Sequence, residues 1–189
     1  MLIIRNTLVV ALLFFLATAC IEPLHAEDEN NSPATIGKLL PLDPAFDQLV
    51  PADAKIEILA DGLDWCEGPV WIKDGEYLLF SDIPRNLINR WKEGEGLTEW
   101  LKPSGYTGET PRGEELGCNG LTLDAEGRLL ICQHGDRRVV QLDAPLNAPE
   151  PKFITLAEKY DGKRFNSPND LVVHSSGKIF FTDPPYGMV

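Results

Sequence analysis

Three residues able to offer a side-chain oxygen, Glu67, Asn119 and Asn169, stand 52 and 50 residues apart, and each heads a stretch of the same pattern. The stretches are Glu67-Gly68-Pro69-Val70-Trp71, Asn119-Gly120-Leu121-Thr122-Leu123 and Asn169-Asp170-Leu171-Val172-Val173. A carboxylate and amide oxygens that converge form a site for a hard cation, and calcium accepts mixed Asp, Glu and Asn oxygens more readily than magnesium. Glu67 and Asn169 are the expected metal ligands, with calcium or another divalent cation, and Asn119 and Asn169 the expected substrate contacts. Taken singly, Asn or Asp beside glycine is an ordinary turn residue. The shared register of the three favours a site.

Other groups sort by the same register. Asp82, Gln133 with His134, and Asp183 fall about fifteen residues after each start, where a returning strand comes back to the same end. His134 and Asp183 are therefore the candidate acid–base groups, since an imidazole there can bond a substrate or move a proton; a capping histidine is the alternative. His174 falls just before the turn at the opposite end and is expected to be solvated. Nucleophilic serine chemistry is disfavoured, because no Gly-x-Ser-x-Gly elbow occurs and Ser167 precedes Pro168 in a loop. Gly94-Glu95-Gly96 has no helix after it and is a turn rather than a nucleotide loop. Cys66, Cys118 and Cys132 lack the close spacing of a zinc site. They fit either one disulfide with a leftover thiol or three small buried apolar residues.

The repeat also predicts what must position these groups. Eight residues after each start comes a glycine (Gly75, Gly127, Gly177), then a β-rich run, Tyr77 to Phe80, Leu129 to Cys132 or Ile179 to Thr182. Strand, glycine turn and strand make a hairpin. Two further strand-like runs follow the first two hairpins, Leu87 to Trp91 with Leu97 to Leu101, and Val139 to Asp143 with Phe153 to Ala157. Four strands in about 50 residues is a propeller blade. The expected fold is an all-β, six-bladed β-propeller, with a blade over about 67–118, a second over about 119–168 and the first hairpin of a third over 169–189. In such a ring the innermost strands run the same way along a central channel, which brings the three starts to one mouth. Six blades need about 300 residues, so the chain is expected to be the N-terminal part of a longer protein and inactive alone. The face of the third hairpin bearing Leu171, Val173, Ile179 and Phe181 is expected to lack a neighbour.

Ahead of the propeller part, residues 53–189, lie two other segments. Arg5, an apolar run from Leu8 to Ala19 and Leu24-His25-Ala26 form the three parts of a secretory signal over 1–26. The run is shorter than the roughly 20 residues that span a bilayer, so no membrane span is expected. Cleavage after Ala26 fits best; cleavage before Cys20, giving a lipid-anchored N-terminus, is the alternative. The protein is expected to be exported, to the periplasm or medium. Residues 27–52 are polar and broken by Pro33, Pro41, Pro44 and Pro51, which reads as a tether. Arg5 and Glu22 cancel, so the formal charge of −12 stays with the exported part. That charge repels phosphate backbones, excludes nucleic acid as a partner and suits a cation.

Taken together, the residues resemble the family of senescence marker protein, gluconolactonase and luciferin-regenerating enzyme. The resemblance rests on Cys66-Glu67-Gly68-Pro69-Val70-Trp71, Phe80-Ser81-Asp82, Asn119-Gly120-Leu121, Asn166-Ser167-Pro168-Asn169-Asp170-Leu171 and Phe181-Thr182-Asp183-Pro184-Pro185-Tyr186-Gly187. The last run is similar to the bacterial gluconolactonase branch. The resemblance implies a six-bladed propeller with one divalent cation, usually calcium, in the channel, acting on a small-molecule lactone. By position it implies that Glu67 is a metal-binding glutamate and Asn169 a metal or substrate contact, with two further ligands beyond Val189. Ser167 stands where animal members carry arginine, so the resemblance does not fix the sugar. A non-catalytic exported propeller with a structural cation is the second reading.

Overall fold

The computed structural model describes residues 34–110 and 113–185. The secretory leader, the lipidation alternative at Cys20, the first residues of the tether and Tyr186-Gly187 lie outside the described residues. Upstream of the first blade, Thr35 and Glu57 form an antiparallel bridge. A short 3-10 turn at Pro44–Gln48 is capped by Asp43, whose carboxylate accepts from the Ala45 N–H at 2.8 Å. No α-helix occurs among the described residues.

Two four-stranded antiparallel sheets follow. The first contains β1 (Cys66–Ile72), β2 (Tyr77–Asp82), β3 (Leu87–Lys92) and β4 (Gly96–Leu101); the second contains β5 (Leu121–Leu123), β6 (Leu129–Gln133), β7 (Arg138–Leu142) and β8 (Phe153–Ala157). Each keeps its strands in chain order, which is the meander of a propeller blade. A small hairpin, β9 (Lys159–Tyr160) with β10 (Lys163–Arg164), precedes a further pair, β11 (Leu171–Val173) and β12 (Ile179–Phe181). The all-β class and the strand positions expected from the repeat are those observed; closure of a ring remains a proposal.

β6 explains how the blades stack. Side chains alternate across a strand, and here both faces are covered. Leu129 and Ile131 join Leu79, Ile88, Leu121 and Val140 in a core between the two sheets. Leu130 and Cys132 face the other way, with Leu171, Val173, Ile179 and Phe181 of the third hairpin. Two-sided burial is why Leu129-Leu130-Ile131-Cys132 is a continuous apolar run, and truncating Ile131 to alanine would cost about 2–5 kcal/mol. The same packing corrects one expectation. Leu171, Val173, Ile179 and Phe181 already have a neighbour, because their face rests on β6; Val172 and Phe180, 60% and 57% exposed, form the open face.

The turns differ among the three hairpins. The first hairpin has one more turn residue than the others, so its left-handed residue is Glu76, with φ of +53°, rather than Gly75. Gly127 and Gly177 take that conformation in the other two, at +77° and +79°. Gly75 is small for a different reason: a Cβ there would lie 2.1 Å from the Tyr77 ring.

Candidate functional site at the strand starts

The three repeat starts meet at one end of the innermost strands through their backbones. Glu67 pairs with Ser81, the Asn119 N–H donates to the Cys132 carbonyl at 2.9 Å, and the Asn169 N–H donates to the Thr182 carbonyl at 2.9 Å. These are equivalent ladder positions. Between repeats the approach is closer still. A Cβ on Gly68 would lie 2.4 Å from the Asn119 carbonyl oxygen, and one on Gly120 would lie 2.8 Å from that of Asn169. Gly120 also donates its N–H to the Asn169 carbonyl at 2.7 Å. Glycine is required at 68 twice over, since its φ is +54° as well. A register shift between Glu67 and Val70 adds a residue to β1 here, and such bulges re-aim side chains.

Two of the three side chains join where the backbones have brought them, those of Asn119 and Asn169, while the Glu67 carboxylate is bonded to Trp65. Asn119, 7% exposed, donates from Nδ2 to Oδ1 of Asn169 at 2.7 Å. Ser81 fixes the Asn119 backbone by donating from Oγ to its carbonyl at 2.7 Å. Glu67 is exposed, and its Oε1 accepts from the Trp65 indole Nε1 at 3.2 Å. The set is a carboxylate and carboxamides, all hard oxygen donors, which fits a divalent cation such as calcium. Among the described residues no three His, Cys, Asp or Glu side chains gather as a metal cluster; amide oxygens would have to accompany Glu67.

The two candidate acid–base groups are differently placed. Asp183 spends its carboxylate on backbone: Oδ1 accepts from the N–H of Asn166 at 2.9 Å and of Ser167 at 2.8 Å, and Oδ2 accepts again from Asn166. Asp82 does the same in the first blade, accepting from the N–H groups of Asp64 and Trp65 at 3.2 Å each. Both hold the segment that enters the innermost strand. In the second blade Gln133 donates instead to the Ser104 carbonyl at 3.0 Å. His134 is buried rather than open at the mouth, with 1% exposure and Nε2 3.4 Å from Oε2 of Glu115. Ser104 and Gly117, both before β5, lie against the end of β6, since Gln133 donates to the Ser104 carbonyl and Gly135 to that of Gly117. His174 lies at the turn end, exposed, bonded to Ser176, where it was expected.

The cysteines divide by environment. Cys118 and Cys132 are fully buried free thiols, while Cys66, beside Glu67, is exposed. Burial pushes the Cys118 thiol up to about 11 and raises that of Cys132 further. Burial and the Asp82 charge raise Cys66 as well. The expectation of three buried thiols therefore holds for two of them. Asp64 is held below the usual carboxylate range by its pair with Arg85, at 2.8 Å and 3.0 Å.

The sequence pattern assigns no individual role to Trp65, Ser81, Gly68 or Arg85. Trp65 was the findable one: two residues before Glu67 in an extended segment puts both side chains on one side. A groove of about 490 Å³ lined by Ile72, Asp74, Tyr77 and Leu146 lies at the opposite, turn end, and no predicted site residue lines it.

Comparison with known proteins identifies relatives of the chain. Residues 65–189 match the SMP-30/Gluconolactonase/LRE-like region. A curated gluconolactonase from Zymomonas mobilis is 39% identical over 166 residues, covering 87% of this chain and 46% of the relative. A solved gluconolactonase from Xanthomonas campestris is 32% identical and superposes with a TM-score of 0.63, over 84% of this chain and 46% of that one. The chain spans about half the length of these relatives.

Proposed function

The chain belongs to the SMP-30/gluconolactonase/LRE-like family, and on that premise we propose that the whole protein is a divalent-cation-dependent hydrolase that opens a sugar-acid lactone at the channel mouth. The observation that carries the reading is the meeting of Glu67, Asn119 and Asn169 at one end of successive innermost strands, with Asn119 bonded to Asn169 at 2.7 Å. A bound divalent cation, with calcium best suited to such oxygens, would supply Lewis acidity toward the lactone carbonyl and lower the pKa of a bound water. Glu67 provides the charged ligand and Asn169 a neutral one. Asn119 fixes the amide plane of Asn169 and is itself fixed through Ser81, so the two carboxamides present one surface to a small lactone. Similarity to proteins named gluconolactonase supports the substrate class. The leader-like sequence over 1–26 supports an exported protein.

The test uses the whole protein and a simple aldonolactone. Ring opening followed by acid release should run well above the spontaneous rate, stop on chelation and return with calcium or another divalent ion. A folded protein that binds the cation yet leaves the lactone at its spontaneous rate would instead be a non-catalytic propeller with a structural ion.

A further inference from the structure

The segment entering β1 is built around Glu67 in a way its counterparts are not. Trp65 is anchored at both backbone groups. Its N–H donates to Oδ1 of Asp82 at 3.2 Å, and its carbonyl accepts from the Ile83 N–H at 3.1 Å. Asp82 has no solvent exposure, and its Oδ2 also accepts from the Asp64 N–H and lies 3.4 Å from Arg85 Nε. From this fixed backbone the indole Nε1 reaches Oε1 of Glu67. The equivalent positions two residues before Asn119 and Asn169 are Gly117 and Ser167. Gly117 has no side chain, and Ser167 donates its Oγ to the Pro184 carbonyl at 2.6 Å. The carboxylate anchor recurs at Asp183, so anchoring alone does not call for tryptophan. An aromatic N–H donor stands only before the one start that carries a charge.

We propose that Trp65 is a positioning residue for Glu67: its indole N–H holds one carboxylate oxygen and would leave the other available to a cation, while Asp82 fixes the tryptophan backbone. The proposal rests on the reading of Glu67 as a cation ligand. A hydrogen bond from a neutral donor to a carboxylate is a charge-assisted one, and partners of this outer kind orient a metal ligand and commonly change affinity by about 10–100-fold. Half of the Trp65 surface remains open, so the ring is held by this bond rather than by a closed core.

Calcium titration of the whole protein by calorimetry, with thermal melts of the same samples, tests it. Trp65→Phe should weaken calcium binding roughly 10-fold with an unchanged melting temperature, while Trp71→Phe, at a half-exposed position within β1, should bind as the parent does. In metal-free protein, the indole N–H resonance that disappears in Trp65→Phe should move in Glu67→Gln. If Glu67→Gln loses calcium affinity while Trp65→Phe retains it, the positioning role is overturned and the ligand reading stands. If Glu67→Gln itself binds calcium as tightly as the parent, the reading beneath it fails too.

Discussion

The two ends of the innermost hairpins use glycine for opposite reasons. At the turn end, Gly127 and Gly177 adopt left-handed backbone, and nothing lies within 4 Å of the place a Cβ would take. At the mouth end, Gly68 and Gly120 press against the backbone of the next repeat, closely enough that any Cβ would overlap peptide atoms. One end satisfies only its own hairpin; the other locks each repeat to its neighbour. The residues proposed to hold the cation and touch substrate, Glu67, Asn119 and Asn169, are all at the locked end. The proposed site, shared between repeats, would need that rigidity, because each repeat would contribute only one or two of its oxygens.

The largest effect should come from testing the glycines directly. Gly68→Ala should destabilise the protein by at least about 3 kcal/mol, combining left-handed strain with overlap against backbone, whereas Gly127→Ala should cost only about 1 kcal/mol. Urea unfolding of both variants measures the contrast, and equal losses would break it.

A second contrast lies in the thiols at the mouth. Cys118 precedes Asn119 and is raised from 9.0 to about 11 by burial. The folded state therefore keeps a proton that the unfolded chain gives up above pH 9. Stability from this group is complete below pH 9 and declines as pH rises toward 11, by roughly 2–3 kcal/mol in all. Denaturation midpoints at pH 8 and pH 10.5 should show a steeper decline in the parent than in Cys118→Ala. At pH 8 a thiol reagent should label Cys66 and spare Cys118 and Cys132 until unfolding.

Asp183 sharpens the comparison between a carboxylate that anchors and one that reacts. With its oxygens engaged by Asn166 and Ser167, Asp183→Asn should lose about 1–2 kcal/mol of stability and keep lactone turnover within a few-fold. A fall of 10²-fold or more with the fold intact would make Asp183 the general base instead. The smallest effect belongs to the turn end, where His174→Ala should change stability by less than about 0.5 kcal/mol and leave turnover unchanged.

Much of the fold could be read from the chain because the repeat imposes it. Apolar runs such as Leu129 to Cys132 placed the strands, and the 52- and 50-residue spacings placed Glu67, Asn119 and Asn169 at one end. Spacing cannot show what a side chain does after it arrives. His134 is at the predicted end yet inside the protein, since Glu115 and Gly117, which follow the first blade, lie against it and its neighbour Gly135. The role proposed for Trp65 depends on a backbone held by Asp82, 17 residues away in sequence. The extra turn residue at Glu76 was hidden because Gly75 fell by chance under Gly127 and Gly177 when the repeats were superimposed, though it serves the Tyr77 ring.

Glu67 is the one charged group among the three converging starts, so the proposed site depends on what its charge does. Glu67→Gln preserves size and one oxygen while removing the charge, and ligand charge strongly sets affinity for hard cations. Calorimetric titration of the whole protein with calcium should show this variant binding at least about 100-fold more weakly than the parent, with lactone hydrolysis lost in step and the melting temperature of the metal-free protein unchanged. An unchanged dissociation constant would contradict the account, because Glu67 would then not be a ligand.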